Sequence, residues 1–266
     1  MEAEGASDSF LYKEVPTFGK RVHRLGLACN YGIDSDGVRA AFDRGVNYVF
    51  WTPFQRKGTS PLRDALKRDR ERYVVATGPT LGFFAGGLRR GLDRALQQLD
   101  TDYVDVFQIF WLGTTSALTE GVTEELVRMR ESGKVRRVGV SIHDRERAGR
   151  LAEDSVLDML MIRYNAAHPG AERDIFPRLE RRKPAIVAYT ATDWRKLLKR
   201  PRGWDGRVPD AGDCYRFCLS NPHVDVTLCG PASLAQLDQN LASLARGPLS
   251  AEEDKWMRDL GAFIHG

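Results

Sequence analysis

The chain has 266 residues, of which 42% are hydrophobic, and 40 basic against 36 acidic side chains give a formal net charge of +4. This composition is typical of a globular protein and excludes a largely disordered chain. Because the basic excess is small and spread out, we predict no nucleic-acid partner and no membrane partner.

Taken in order, the chain opens with residues 1–10, which are acidic, rich in small residues and unlike a secretion signal. Residues 12–24 predict a hairpin that turns at Phe18 and Gly19. Apolar runs then alternate with amphipathic segments. The predicted strands cover residues 24–29, 47–51, 73–77, 103–109, 137–141, 158–164, 185–189 and 224–229. The predicted helices cover 35–44, 60–68, 87–98, 119–131, 144–153, 170–181, 210–219 and 233–244, with an extra one at 250–265.

This alternation predicts the fold class. Near-continuous apolar strands are typical of parallel strands buried on both faces, and each parallel crossover needs a helix. We therefore expect an α/β protein, a single parallel (β/α)8 TIM barrel with an N-terminal hairpin and a C-terminal extra helix. No linker or composition shift divides the sequence, so residues 1–266 are expected to form one domain.

The strand ends predict where a site would lie. In such barrels the functional residues follow the C-terminal ends of the strands. These positions are mostly aromatic or apolar here, which favours a pocket for a flat or apolar small molecule. The ionisable residues among them are Cys29, His143, Arg163, Tyr164, Tyr189 and Cys229.

Cysteines and apolar runs give further expectations. No apolar run approaches the roughly 18 residues of a membrane span. Four cysteines in a chain of this length do not suggest a disulfide scaffold. Cys214 and Cys218 have helical spacing but lack nearby ligands, so we predict no metal site. The expected location is cytoplasmic, with reduced thiols.

Five segments together resemble the aldo-keto reductases. They are residues 45–49 (GVNYV), 99–109 (LDTDYVDVFQI), 133–141 (GKVRRVGVS), 164–165 (YN) and 237–241 (LDQNL). Each is weak alone, but the five occur in the family's order along most of the chain. The resemblance implies the barrel fold and descent from NADP(H)-dependent oxidoreductases.

The residues of the family's carbonyl chemistry are replaced. The resemblance implies a tyrosine proton donor, a lysine paired with an aspartate, and a histidine. Phe50 stands at the aspartate, Gln55 at the tyrosine (Phe54 if the loop slips by one), Gly78 at the lysine and Phe110 at the histidine. Phe has no proton to give, and Gln has no accessible pKa for acid catalysis. We therefore interpret the chain as a divergent member whose site is refitted for another use.

The cofactor contacts are only partly kept. The resemblance assigns Ser141, Asn165, Tyr189 and Asn240 to NADP(H). Other cofactor contacts of the family are replaced in this sequence, by Ile142, Met161, Gly230, Pro231 and Gln236. A cofactor phosphate without basic partners loses charge-assisted hydrogen bonds. These losses argue against tight NADP(H) binding. Residues 193–210 are rich in Arg, Lys and Trp and are either a phosphate-binding loop or a solvated one.

Several residues have two interpretations. Phe50, Trp51, Phe110 and Trp111 form either a substrate cage or ordinary packing. The pocket hypothesis adds Gln55 and Arg163 to these four. Arg163 points either inward, where it needs an anionic partner, or outward to a helix. Cys29 and Cys229, on neighbouring strands, are either a thiol site or buried.

The catalytic candidates share a position at or near the strand ends. They are His143, Arg163, Tyr164, Tyr189 and Gln55. His143 with Asp144 is either an acid/base pair or the start of a helix capped by Asp144.

Three functional hypotheses follow. The first is a protein that binds a small metabolite at the C-terminal mouth, without the Asp/Tyr/Lys/His chemistry. The second is an NADPH-dependent oxidoreductase that uses Tyr164, Tyr189 or His143 as donor. The third is an inactive binding or scaffold protein. The substrate and the oligomeric state do not follow from the sequence.

Overall fold

A computed structural model describes residues 10–79 and 81–265. The expectation for the opening segment therefore falls almost wholly outside the described residues. A two-stranded antiparallel hairpin, β1–β2, precedes a closed barrel with the order β10-β3-β4-β5-β6-β7-β8-β9, in which neighbouring strands are parallel. The strands are β1 (Tyr12–Val15), β2 (Lys20–His23), β3 (Leu25–Ala28), β4 (Tyr48–Phe50), β5 (Val74–Thr77), β6 (Val104–Leu112), β7 (Val135–Ile142), β8 (Met159–Arg163), β9 (Ala185–Tyr189) and β10 (Val226–Cys229).

Helices follow the barrel strands, as predicted. They are α1 (Ser35–Asp43), α2 (Arg56–Arg68), α3 (Ala85–Leu99), α4 (Glu120–Glu131), α5 (Arg145–Glu153), α6 (Ala171–Asp174), α7 (Ala211–Ser220), α8 (Leu234–Leu244) and α9 (Ala251–His265). The predicted (β/α)8 barrel, hairpin and extra helix are therefore confirmed. Within the described ranges, no helix is long and apolar enough to cross a membrane.

One predicted helix is largely wrong. Residues 170–181 form only the single turn α6, followed by a 3-10 turn at Phe176–Arg178. Pro177 lies in that turn, and proline cannot donate the backbone hydrogen bond that an α-helix needs.

The hairpin closes the N-terminal end of the barrel. Gly19 turns it with a φ of +63°, a left-handed conformation that favours glycine. Val15, Phe18 and Val22 are buried in the same cluster as Tyr48 of β4, whose ring centroid lies 5.7 Å from that of Phe18. The opposite end of the barrel is therefore the open one.

Side chains alternate across the barrel wall. Tyr48, Val106, Met161 and Val187 belong to the interior cluster, together with Tyr189. Their neighbours along each strand belong to the larger cluster between the barrel and its helices. This alternation decides which strand-end residues reach the mouth.

Asp105 joins the hairpin to the barrel, which gives a stability prediction. Its buried carboxylate lies 2.9 Å from Lys20 Nζ and 2.8 Å from Arg70 Nη2, and it accepts a hydrogen bond from Val75 N. Asp105→Ala should lower the free energy of unfolding by about 3 kcal/mol, because two half-buried cations lose their partner. The measurement is urea unfolding. The control Asp93→Ala removes a surface pair with Lys134 and should cost at most about 1 kcal/mol. Equal losses would contradict the prediction.

Candidate ligand site at the barrel mouth

Three of the four positions that the family resemblance assigned to catalytic residues lie together at the mouth. The rings of Phe50 and Phe110 pack edge to face, with centroids 5.5 Å apart and an interplanar angle of 88°. A Cβ atom on Gly78 would lie 3.3 Å from Phe110 Cε2 and only 1.8 Å from the backbone oxygen of Gln108. No side chain therefore fits at position 78 unless the backbone moves. Phe50, Gly78 and Phe110 together make an apolar floor.

The fourth position, Gln55, does not join this floor. The Gln55 side chain is buried, and its Oε1 accepts a hydrogen bond from Thr52 N at 3.1 Å. Trp51 is 0% exposed and belongs to the outer core, where its Nε1 donates to Thr59 Oγ1 at 3.1 Å. The predicted role of Trp51 in the pocket is therefore wrong, since the residue after Phe50 faces the helices. Trp111 lies at the rim, 46% exposed.

A groove opens above the floor. It consists of two adjoining cavities, of about 210 and 470 Å3, with five lining residues in common. The shared residues are Tyr31, Thr192, Arg195, Tyr215 and Gly230. One end reaches Phe50 and Met161, and the other reaches Asn240 on α8. The groove is thus elongated and lined by aromatic rings, including those of Tyr189 and Trp194. Tyr215 lies on α7, and no sequence motif around it predicted its position in the groove.

Tyr189 and His143 form a pair beside the groove. The Tyr189 hydroxyl lies 2.7 Å from His143 Nε2. Burial raises the pKa of Tyr189 well above its usual value, whereas burial and the charge of Arg163 lower the pKa of His143. Asp144 does not act on His143, because its carboxylate caps α5 by accepting a hydrogen bond from Arg147 N at 2.9 Å. Of the two interpretations of His143 with Asp144, the structure supports the helix start capped by Asp144.

Tyr164 is not available to the mouth. Its ring is buried in the outer core, and its hydroxyl donates to Glu172 Oε1 at 2.6 Å. Burial and this carboxylate raise the pKa of Tyr164 far above its usual value. Tyr164 is therefore wrong as a catalytic candidate. Arg163, one residue earlier on β8, faces the barrel interior and lines a polar cleft beside the groove.

The predicted cofactor residues are partly engaged elsewhere. Ser141 Oγ accepts a hydrogen bond from Trp111 N at 2.8 Å. Asn165 donates to Thr190 O at 2.7 Å and accepts from His168 N at 2.9 Å, so both ends of its amide hold loops. The hydroxyl proton of Ser141 and the second N–H of the Asn165 amide remain able to donate to a ligand. Asn240 lines the far end of the groove.

The basic loop contributes little charge to the groove. Arg195 lines both cavities, and Trp194 lines the first. Three other cations of the loop have partners within the protein. Lys196 and Arg207 form ion pairs with Asp193 and Asp213. Arg200 donates hydrogen bonds to the backbone oxygens of Trp204 and Gly206. The loop therefore offers one arginine to a ligand in this groove.

The cysteines and possible metal ligands show no site. Cys29 and Cys229 are buried free thiols of the outer core, and burial raises the pKa of each to about 12. The thiol-site alternative is therefore wrong. No three His, Cys, Asp or Glu side chains within residues 10–79 and 81–265 are grouped to hold a metal ion.

The strands and helices define a parallel (β/α)8 barrel with a groove at one end, and comparison with known proteins shows the family. The model of the aldo/keto reductase family matches residues 33–200, more than half of the chain. The chain belongs to the aldo/keto reductase family.

Relatives and solved structures agree with this membership. Aldo-keto reductase YhdN of Bacillus subtilis is 26% identical over 165 residues, which are 57% of this chain and 50% of YhdN. L-galactose dehydrogenase of Arabidopsis thaliana is 21% identical over 78% of this chain and 76% of that protein. The aldo-keto reductase AKR11C1 from Bacillus halodurans superposes with a TM-score of 0.78 at 20% identity, covering 94% of this chain and 95% of that one. An aldo/keto reductase from Klebsiella pneumoniae, solved with NADP and acetate, has a TM-score of 0.73 at 20% identity, covering 92% and 93%. At these identities the structures show a shared fold.

The closed backbone at Gly78 gives a second prediction. Gly78→Ala should lower the free energy of unfolding by about 1–3 kcal/mol, because its Cβ collides with the Gln108 carbonyl and the strand ends must separate. Urea unfolding measures this change.

Gly121→Ala is the matched control. Nothing lies within 4 Å of its added Cβ, and Gly121 lies on α4, where alanine is favoured by up to about 1 kcal/mol. If Gly78→Ala were as stable as wild type, the end of β5 would have room for a side chain.

Proposed function

We propose that this protein binds a small molecule with a flat ring in the groove at the barrel mouth, and that it does not reduce carbonyls by the family's tyrosine mechanism. The contact between Phe50 and Phe110 beside Gly78 carries this proposal. These residues fill the positions of the aspartate, histidine and lysine with groups that neither donate nor orient a proton. A carbonyl above this floor meets no acid there.

The groove lining supports a flat ligand. Tyr31, Tyr189 and Trp194 offer aromatic faces, and Ala28 and Leu228 add apolar surface. Aromatic faces stabilise planar rings by stacking. Thr192 and Arg195 supply polar groups along the side of the groove, which suits a ligand with a polar extension.

A second candidate is an NADP(H)-dependent oxidoreductase with another proton donor. The hydrogen bond between Tyr189 and His143 favours it, because this pair is able to pass a proton at the edge of the groove. The Klebsiella pneumoniae relative was solved with NADP, which adds support. Ser141 and Asn165 each use one hydrogen-bonding group within the protein, and we derive no hydride-transfer step.

Binding is tested by tryptophan fluorescence during titration with NADP+, NADPH and adenosine. Tyr189→Ala should weaken the binding of a flat ligand by roughly tenfold, because a stacking partner is lost. Tyr103→Ala is the matched control, since Tyr103 lies at the opposite end of the barrel, where its hydroxyl bonds Glu71, and should leave binding unchanged. No quenching by any of these ligands would contradict the proposal and favour an inert binding or scaffold protein.

Chemistry is tested separately with a panel of carbonyl compounds and NADPH. We expect no oxidation of NADPH above the protein-free rate, in wild type and in Gln55→Ala alike. Turnover that is lost in Tyr189→Phe or His143→Gln would establish the second candidate instead. Turnover that is lost in Gln55→Ala would contradict both.

A further inference from the structure

A polar cleft of about 450 Å3 lies beside the aromatic groove at the same end of the barrel. The loops that follow β7 and β8 and the end of α9 form its walls. The side chains that matter here are His143, Arg145, Arg163, His168, Asp174 and His265. None of these residues belongs to the five motifs that resemble the family.

Arg163 lines the cleft, and its neighbour on the adjacent strand, Tyr189, lines the groove. Its backbone pairs in register with Tyr189, and it occupies the same side of β8 as Met159 and Met161 of the interior. Its charge acts on His143, His168 and Tyr189. Arg163 makes no hydrogen bond or ion pair with any other residue that the structure describes.

The carboxylates around the cleft pair with residues other than Arg163. Asp174 pairs with Arg145 at 3.1 Å and with Arg173 at 2.7 Å. Asp193 lies 3.4 Å from His168 and 3.7 Å from Lys196.

Two further acids lie at the cleft. Asp144 caps α5, and the exposed Glu146 acts on Arg173. The guanidinium of Arg163 therefore has no carboxylate partner among the described residues and is available to an anion that enters the cleft.

Histidines surround this guanidinium. The rings of His168 and His265 pack edge to face, with centroids 4.7 Å apart. Burial and the charge of Arg163 lower the pKa values of His143 and His168, while Asp193 opposes this effect at His168. Both shifts favour the uncharged imidazole beside Arg163.

We propose that this cleft is an oxyanion site, in which Arg163 binds a carboxylate or phosphate group of the ligand whose ring lies in the groove. This inference rests on the proposed function, because it assigns an anionic substituent to the same ligand. Arginine suits the role, since its planar fork donates two parallel hydrogen bonds to either oxyanion. His143 and His168 lie at the edges as further donors.

The test titrates the full chain with inorganic phosphate and, separately, with acetate, while NMR follows the imidazole resonances. We expect saturable shifts of His143 and His168. Arg163→Gln should weaken binding by at least about tenfold, because the charge-assisted pair is lost. Arg173→Gln is the matched control from the same cleft, already paired with Asp174, and should change affinity by less than about threefold. Saturation by phosphate alone or by acetate alone identifies the group that the cleft takes.

A readout without ligand checks the placement of Arg163. In Arg163→Gln the pKa of His143 should rise, because a neighbouring positive charge is removed. An unchanged pKa of His143 would contradict this placement.

Equal anion binding by wild type and Arg163→Gln, or no histidine shift with either anion, would overturn the oxyanion site. The two proposals fail separately, because inorganic anions need no aromatic groove. Anion binding without flat-ligand binding would refute only the proposed function, and the reverse result would refute only the cleft.

Discussion

The alternation of side chains across the wall of a closed barrel decides what reaches the mouth of this protein. Phe50, the last residue of β4, faces the interior, whereas Trp51, the next residue, faces the helices. Likewise, Arg163 lines a cleft at the mouth, whereas Tyr164 is buried outside the barrel. One position along a strand therefore separates a ligand-binding residue from a core residue, because successive side chains point to opposite faces.

The apolar floor is one physical unit. A lysine at position 78 would need the ends of β5 and β6 to separate, since the Gln108 carbonyl fills the space of a Cβ. Its aspartate partner would stand where Phe50 packs on Phe110. Either charge introduced alone would be buried without a partner, which is strongly destabilising. The amide nitrogen of Gln108 donates a hydrogen bond to the sulfur of Met161. Its amide oxygen is buried beneath the floor and has no hydrogen-bond partner among the described residues.

The sequence predicted the barrel, the hairpin and the location of the mouth, because these follow from periodicity and from motifs in order. It also predicted Phe50, Phe110, Tyr189 and Asn240 near the mouth or the groove. It could not resolve adjacent pairs such as Arg163 and Tyr164, since a shift of one residue reverses the face. The contact of His143 with Tyr189 was equally hidden, because it joins strand ends that lie 46 residues apart.

Tyr189 lines the groove and Arg163 lines the cleft, and the two residues lie side by side on β9 and β8. A ring stacked on Tyr189 would bury apolar surface, while an anionic substituent would stay in the polar cleft and escape the cost of desolvation beside the phenylalanines. The Tyr189–His143 pair stands at this boundary. Because the floor offers no proton, a reaction of the bound ligand would draw its proton from that boundary. Under the proposed function, the groups able to exchange a proton thus lie at the edge of the barrel mouth and not on its floor.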